Sequence, residues 1–252
     1  MGSESNHVDL EAATRFGILV TNTPGTNAAA VAELTMGLIL SLARELVQAN
    51  DLLRDRGWEL LVGAEVGGKV LGIIGFGAIG RKVASLAKCF GMDVLAYSPR
   101  ADKDGGTAQG VRFVSLDEVL QEADYVTIHT SLRDETRHLV GERELQLMKR
   151  GACLVNTARG GIVDEEALCR MLVERRIRGV ALDVFASEPA IGSRLIGLPG
   201  VITTPHIGGS TGEAFARTSE SVADSIEAVS RGEQPTKLVN PDAWLRYMAR
   251  WA

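Results

Sequence analysis

Along the middle of the chain, short runs rich in apolar and β-branched residues alternate with stretches whose apolar positions recur at helical spacing. The short runs fall at 70–74, 94–97, 125–129, 153–157, 180–184 and 201–204. A strand with one wet face would alternate apolar and polar residues. Continuous runs suit strands covered on both faces of a parallel sheet. Helical spacing marks 79–90, 116–121, 142–149 and 164–175. Gly151 is placed to stop the third of these helices. Asp164 is placed to cap the fourth, with Glu165 and Glu166 in the first turn, where the helix dipole favours acids. Repeated strand–helix–strand units predict right-handed crossovers and a doubly wound parallel α/β sheet, a Rossmann arrangement.

Two longer helical patterns flank this unit. One runs over 27–46, with Val31, Leu34, Leu38 and Leu42 on its apolar face; the other covers 213–230. A strand-like piece at 18–21 and a Pro24-Gly25 turn precede the first. No partner for that strand is visible in the sequence, and a lone edge strand is a liability. A missing upstream segment is therefore expected. The pattern divides the chain into 1–26, a doubly wound α/β domain at 27–212, and a C-terminal helix and tail at 213–252.

Composition narrows the function classes. The net charge of −5 and the lack of a basic stripe argue against a nucleic-acid partner. The most apolar run, 34–43, is too short to span a bilayer, and the polar start is no leader, so a cytoplasmic chain without membrane contact is expected. Cys89, Cys153 and Cys169 are odd in number and lack CxxC spacing, which predicts free thiols and no metal site.

The turn after the first central strand reads Gly75-Phe76-Gly77-Ala78-Ile79-Gly80. Gly75 permits the tight turn, Gly77 a close approach of backbone to pyrophosphate, and Gly80 close packing of helix on strand. The amides that open the helix then face the phosphates. An acid ending the second strand would read the ribose of NAD. Here the strand runs into Ser98, Pro99 and Arg100, with Lys103 nearby, which favours the 2′-phosphate of NADP over NAD.

Three polar residues follow strand ends, where open α/β sheets bind ligands. They are Arg159, Glu188 and His206. Taken singly, Arg159 fits a loop cap, Glu188 a surface acid and His206 a loop histidine. Their settings are Asn156-Thr157-Ala158-Arg159-Gly160-Gly161-Ile162-Val163-Asp164, Asp183-Val184-Phe185-Ala186-Ser187-Glu188-Pro189 and Pro205-His206-Ile207-Gly208-Gly209-Ser210-Thr211. Together these segments resemble the D-2-hydroxyacid dehydrogenase family, over about residues 8–241. The last is most similar to phosphoglycerate dehydrogenases and hydroxypyruvate or glyoxylate reductases.

The resemblance implies an oxidoreductase moving a hydride between NAD(P)H and a small 2-oxo or 2-hydroxy acid. Arg159 would grip the substrate carboxylate, His206 would exchange the proton and Glu188 would fix its ring. Asp183 would hold the nicotinamide carboxamide. Thr130, Ser131, Thr157 and Ala158 would lie along the cofactor, with Gly208 and Gly209 beside it. His129 is read as structural. The family also has a flavodoxin-like substrate domain, of which only remnants are expected here, so a truncated cofactor-binding module without turnover stays open. So does a corepressor of the same family. The two flanking helices could pack on their own domain or form a homodimer.

Overall fold

The computed structural model describes residues 8–99 and 110–250. They fall into two compact units, one from Val31–Gly208 and the other from the described parts of Met1–Ala30 and Gly209–Ala252.

In the larger unit the strands are β1 (Val70–Ile74), β2 (Asp93–Tyr97), β3 (Val111–Phe113), β4 (Tyr125–Ile128), β5 (Cys153–Asn156), β6 (Gly179–Leu182) and β7 (Val201–Thr203). Among the described residues these seven form one sheet in the order β3-β2-β1-β4-β5-β6-β7. Every pair is parallel. The chain winds outward to β3, then returns to place β4 beside β1. The carboxyl ends of β1 and β4 therefore flank the switch point where a ligand crevice forms.

Alternation along each strand divides the core into two layers. Leu71 and Ile73 of β1 face one side, with Val155 of β5 and Ala181 of β6. Helices α2 (Ala28–Arg44) and α4 (Ala78–Cys89) cover it with Met36, Ile39, Val83 and Ala87. Ile74, Val126, Leu154 and Leu182 face the other side. There α5 (Leu116–Glu122), α6 (Glu142–Leu147) and α7 (Glu165–Val173) supply Val119, Leu145 and Leu168. Each buried Val, Leu, Ile or Met side chain among these stabilises the fold by about 1.5–3 kcal/mol. Asp164 caps α7, its carboxylate accepting from the amides of Glu166 and Ala167.

Three sequence expectations are corrected. The helix read over 27–46 breaks at Glu45, which is left-handed (φ 52°), and a separate helix α3 (Leu46–Arg54) follows. The Ala43 carbonyl accepts the Ala64 amide at 2.7 Å instead of continuing the helical ladder. The strand β3 was missed because three residues, Val-Arg-Phe, are too few to show a period. The piece at 18–21 is not a strand; it makes one antiparallel bridge, Thr21 with Leu238. Its partner exists, but more than 200 residues downstream. The Val20 amide donates to Asn240 Oδ1 at 2.9 Å and Asn240 Nδ2 to the Ile18 carbonyl at 2.9 Å.

In that smaller unit α1 (Leu10–Arg15), α8 (Gly212–Ser230) and α9 (Ala243–Met248) complete the helices. Asp9 caps α1 and Thr211 caps α8.

Candidate active site

The glycine turn joins β1 to α4. Gly75 is left-handed (φ 96°), and a Cβ there would lie 2.6 Å from the His129 carbonyl carbon at the end of β4. A Cβ on Gly80 would run into the Gly75 carbonyl oxygen. These two positions are closed by packing. Gly77 differs: nothing lies within 4 Å of a Cβ built there. It caps α4 without a side chain, so no side chain takes the first amides of the helix, and it lines a cavity of about 560 Å³. Gly75, Gly77, Ser98, Thr130 and Ser131 line that cavity. Backbone donors at a helix start and a glycine without a neighbour fit a pyrophosphate. Arg100 and Lys103 lie outside the described residues.

His129 also lines the cavity. Burial pushes its pKa down to about 3, so the ring is neutral at physiological pH. Its Nε2 pairs with Thr127 Oγ1 at 3.0 Å, while Nδ1 is sealed from solvent and has no hydrogen-bond partner among the described residues.

The other candidates follow the carboxyl ends of β5, β6 and β7. His206 is left-handed (φ 55°), a costly conformation for a residue with a Cβ. Its amide donates to the carbonyls of Asp183 and Thr204 at 2.9 and 3.0 Å. The Asp183 carboxylate, 1% exposed, accepts from Thr204 Oγ1 (2.6 Å) and the amides of Ile207 and Gly208 (both 2.8 Å). These bonds hold the histidine turn and offset its strain. Three of the four lone-pair positions on Asp183 are thus spent within the chain. Gly209 belongs to the smaller unit and is placed with Asn27 there.

His206 Nδ1 pairs with Glu188 Oε2 at 2.7 Å, and Glu188 Oε1 accepts the Phe185 amide at 3.0 Å. Burial works to raise the Glu188 pKa. The bonds from His206 and Phe185, with the charges of His206 and Arg159, outweigh it, and the carboxyl sits below its usual range. The acid therefore stays ionised and holds a proton on Nδ1, which leaves Nε2 to face a reacting group.

Arg159 is half-buried, its Nη1 donating to the Ala158 carbonyl at 2.6 Å. Its backbone is set by Asn156, fully buried, which accepts from the Ala158 amide and donates to the Arg159 carbonyl. Ala158 packs against the core. Thr157 turns inward: its hydroxyl meets Thr35 Oγ1 at 3.0 Å, and Thr35 in turn donates to the Val31 carbonyl. Sequence reasoning gives no place in the site to Asn156, and reads Glu165 only as a first-turn acid of its helix; the Glu165 Oε1 accepts the Ala186 amide at 2.6 Å. The signals for Asn156 are its place at the end of an apolar run and at the head of the segment that carries Arg159.

Fold and site together define a doubly wound α/β unit with a glycine turn and a histidine–carboxylate pair after the carboxyl ends of its strands. Residues 36–208 match the family described as D-isomer specific 2-hydroxyacid dehydrogenase, NAD binding domain, and the chain belongs to that family. It is 44% identical to D-3-phosphoglycerate dehydrogenase of Methanocaldococcus jannaschii over 93% of this chain and 45% of that protein. It is 41% identical to glyoxylate reductase of Thermococcus litoralis over 94% of this chain and 74% of that one. The chain thus spans about half the length of the first of these relatives. Among solved structures, D-lactate dehydrogenase from Aquifex aeolicus, complexed with NAD and lactic acid, superposes with a TM-score of 0.87 at 32% identity, covering 95% of this chain and 78% of that one. Among the described residues no helix is long and apolar enough to cross a membrane, and no group of three or more His, Cys, Asp and Glu residues could hold a metal ion.

Proposed function

We propose that the chain moves a hydride between a nicotinamide cofactor and a small 2-oxo or 2-hydroxy acid. The observation that carries this is the His206–Glu188 pair, held at 2.7 Å after the carboxyl ends of strands in the same sheet as the glycine turn. When bound, the cofactor supplies or takes the hydride. Gly77 and the first amides of α4 hold its pyrophosphate. Arg159 orients the acid by its carboxylate, with a rigid fork of donors. His206 gives a proton from Nε2 to the carbonyl oxygen, or takes one from the hydroxyl in the reverse direction. Ionised Glu188 supports the charged imidazole. Relatives named phosphoglycerate dehydrogenase and glyoxylate reductase make 3-phosphohydroxypyruvate, hydroxypyruvate and glyoxylate the acids to try.

We assign NADP(H) the preference over NAD(H), because β2 runs into Ser98, Pro99 and Arg100 with no acid at its end; Lys103 is near in sequence, and Asp102 and Asp104 come only further along the loop. The free cysteines suit a reducing cytoplasm. The partner proposed for the protein is a second copy. The apolar face of α2 goes into the core, so it is not the interface. Trp58, Leu60 and Val62 are instead 92%, 87% and 81% exposed, beside α3, which buries no residue. Light scattering should give a dimer that Trp58→Asp dissociates.

The test is an absorbance assay with NADPH and NADH against the three acids. Turnover with at least one acid, and tighter binding of NADPH, is expected. Tight cofactor binding with no turnover on any acid sinks the enzyme reading in favour of a binding module, and ten-fold tighter NADH binding ends the NADP preference.

A further inference from the structure

The loop that carries Glu188 has little beneath it. Residues 186–189 are exposed, and behind them lies a cavity of about 310 Å³ lined by Glu165, Phe185, Ala186, Ser187 and Pro189 among others. The amides at the start of this loop are bound in two ways. Phe185 donates to the loop's own Glu188 Oε1, and Ala186 donates to Glu165 Oε1 at 2.6 Å. The first bond closes the loop on itself. The second ties it to the first residue of α7, an element capped by Asp164 and packed into the core through Ala167 and Leu168. The backbone of Gly160, next to Arg159, lies against the same Phe185–Ala186 peptide so closely that a Cβ would overlap it. The Ala186 peptide is therefore held between the Arg159 turn on one side and Glu165 on the other.

We propose that Glu165 is a positioning residue for the acid–base pair, acting through the Ala186 amide to hold Glu188 against His206. It touches neither of them. A carboxylate acceptor at the start of a helix is a strong partner for an amide. Without it the start of the loop keeps its internal bond and the Gly160 contact but loses its tie to α7, and the His206–Glu188 distance is held less firmly. The neighbour Glu166 is exposed and points to no such partner; its amide merely completes the Asp164 cap.

The inference rests on the enzymatic reading for its importance, but its test does not need turnover. The readout is the titration of the Glu188 carboxyl by ¹³C NMR in the intact chain, with Glu165→Ala, Glu165→Asp, Glu165→Gln and Glu166→Ala compared to the parent. The groups facing Glu188 are His206 and Arg159, and the bonds from His206 and Phe185 hold its titration low. Glu165→Ala and the shorter Glu165→Asp should move that titration upward. Glu165→Gln keeps an acceptor oxygen and should restore it, and Glu166→Ala should leave it in place. Where the chain turns over, Glu165→Ala should lower kcat about ten- to a hundred-fold, as a misplaced catalytic group does, with KM and cofactor affinity nearly unchanged. An unmoved Glu188 titration in whichever of Glu165→Ala and Glu165→Asp folds overturns the proposal, whether or not any acid is reduced. Inactivity of the parent chain counts against the enzymatic reading alone.

Discussion

The turn after β1 and the loops after β5, β6 and β7 lie at the same edge of one sheet, yet they are held by opposite means. The turn is shaped by what its residues lack. Gly75 and Gly80 fit because no Cβ stands in the way, and Gly77 leaves open space where a phosphate would lie. The loops are shaped by what their side chains bond. Asp183, Glu188, Asn156 and Glu165 together take or give eight hydrogen bonds, seven of them to the backbone or the ring of another residue. A phosphate cradle uses backbone donors and needs room, so absence of side chains serves it. Proton transfer needs a ring held at one angle, and only directional bonds do that.

The comparison predicts that substitutions in the loops act on the chemistry and substitutions in the turn act on cofactor binding. The largest effect is expected at His206. Asparagine tolerates the left-handed conformation, so His206→Asn keeps the turn but removes the proton donor. Hydride transfer should fall about 10²- to 10⁴-fold while the cofactor dissociation constant, read by fluorescence, stays put. Loss of cofactor binding instead would merge the two regions and break the distinction.

Asp183→Asn comes next. It places an amide NH₂ against donors that now meet a carboxylate, and bonds to a charged acceptor are worth about 1.5–3 kcal/mol each. Urea unfolding should show a loss on the order of one such bond, with kcat falling because the His206 turn loosens. Gly80→Ala should cost about 1–3 kcal/mol through overpacking against the Gly75 carbonyl, and should weaken the cofactor more than it alters kcat on bound substrate. An unchanged dissociation constant would falsify the assignment of this turn.

The effect that is smallest at neutral pH sharpens the boundary between the regions at His129. The unfolded chain binds a proton there near 6.5 and the folded chain only near 3. Stability from this residue is therefore complete above about pH 6.5 and declines as the pH drops toward 3, by up to about 1.4 kcal/mol per pH unit. His129→Phe should flatten that part of the pH–stability curve in urea titrations, relative to the parent, and leave it unchanged above pH 7.

Much of this was legible along the chain. Six of the seven strands announce themselves as apolar runs, because a parallel strand is buried on both faces and cannot afford polar residues. The Asp164 cap and the glycine turn were readable for a similar reason: each is local, its residues within a few positions of one another. Legibility failed where the cause was distant. Nothing near Glu45 marks the break in the long helix, since the group that takes the Ala43 carbonyl is Ala64. The segment at 18–21 looked partnerless because Leu238 and Asn240 come from the far end of the chain.

By itself, then, the sequence determined six strands of the sheet, the glycine turn and the choice of Arg159, Glu188 and His206 as candidates, since periodicity and short motifs depend on neighbours in the chain. Only the tertiary structure decided how these residues are held. It brought Glu188 against His206 across 18 positions, Asp183 beneath the His206 turn across 21 to 25, and Glu165 to the Ala186 amide across 21. Those distances close only when parallel strands, joined by crossovers, carry their carboxyl ends to one edge, and no local pattern records which side chain will meet which there.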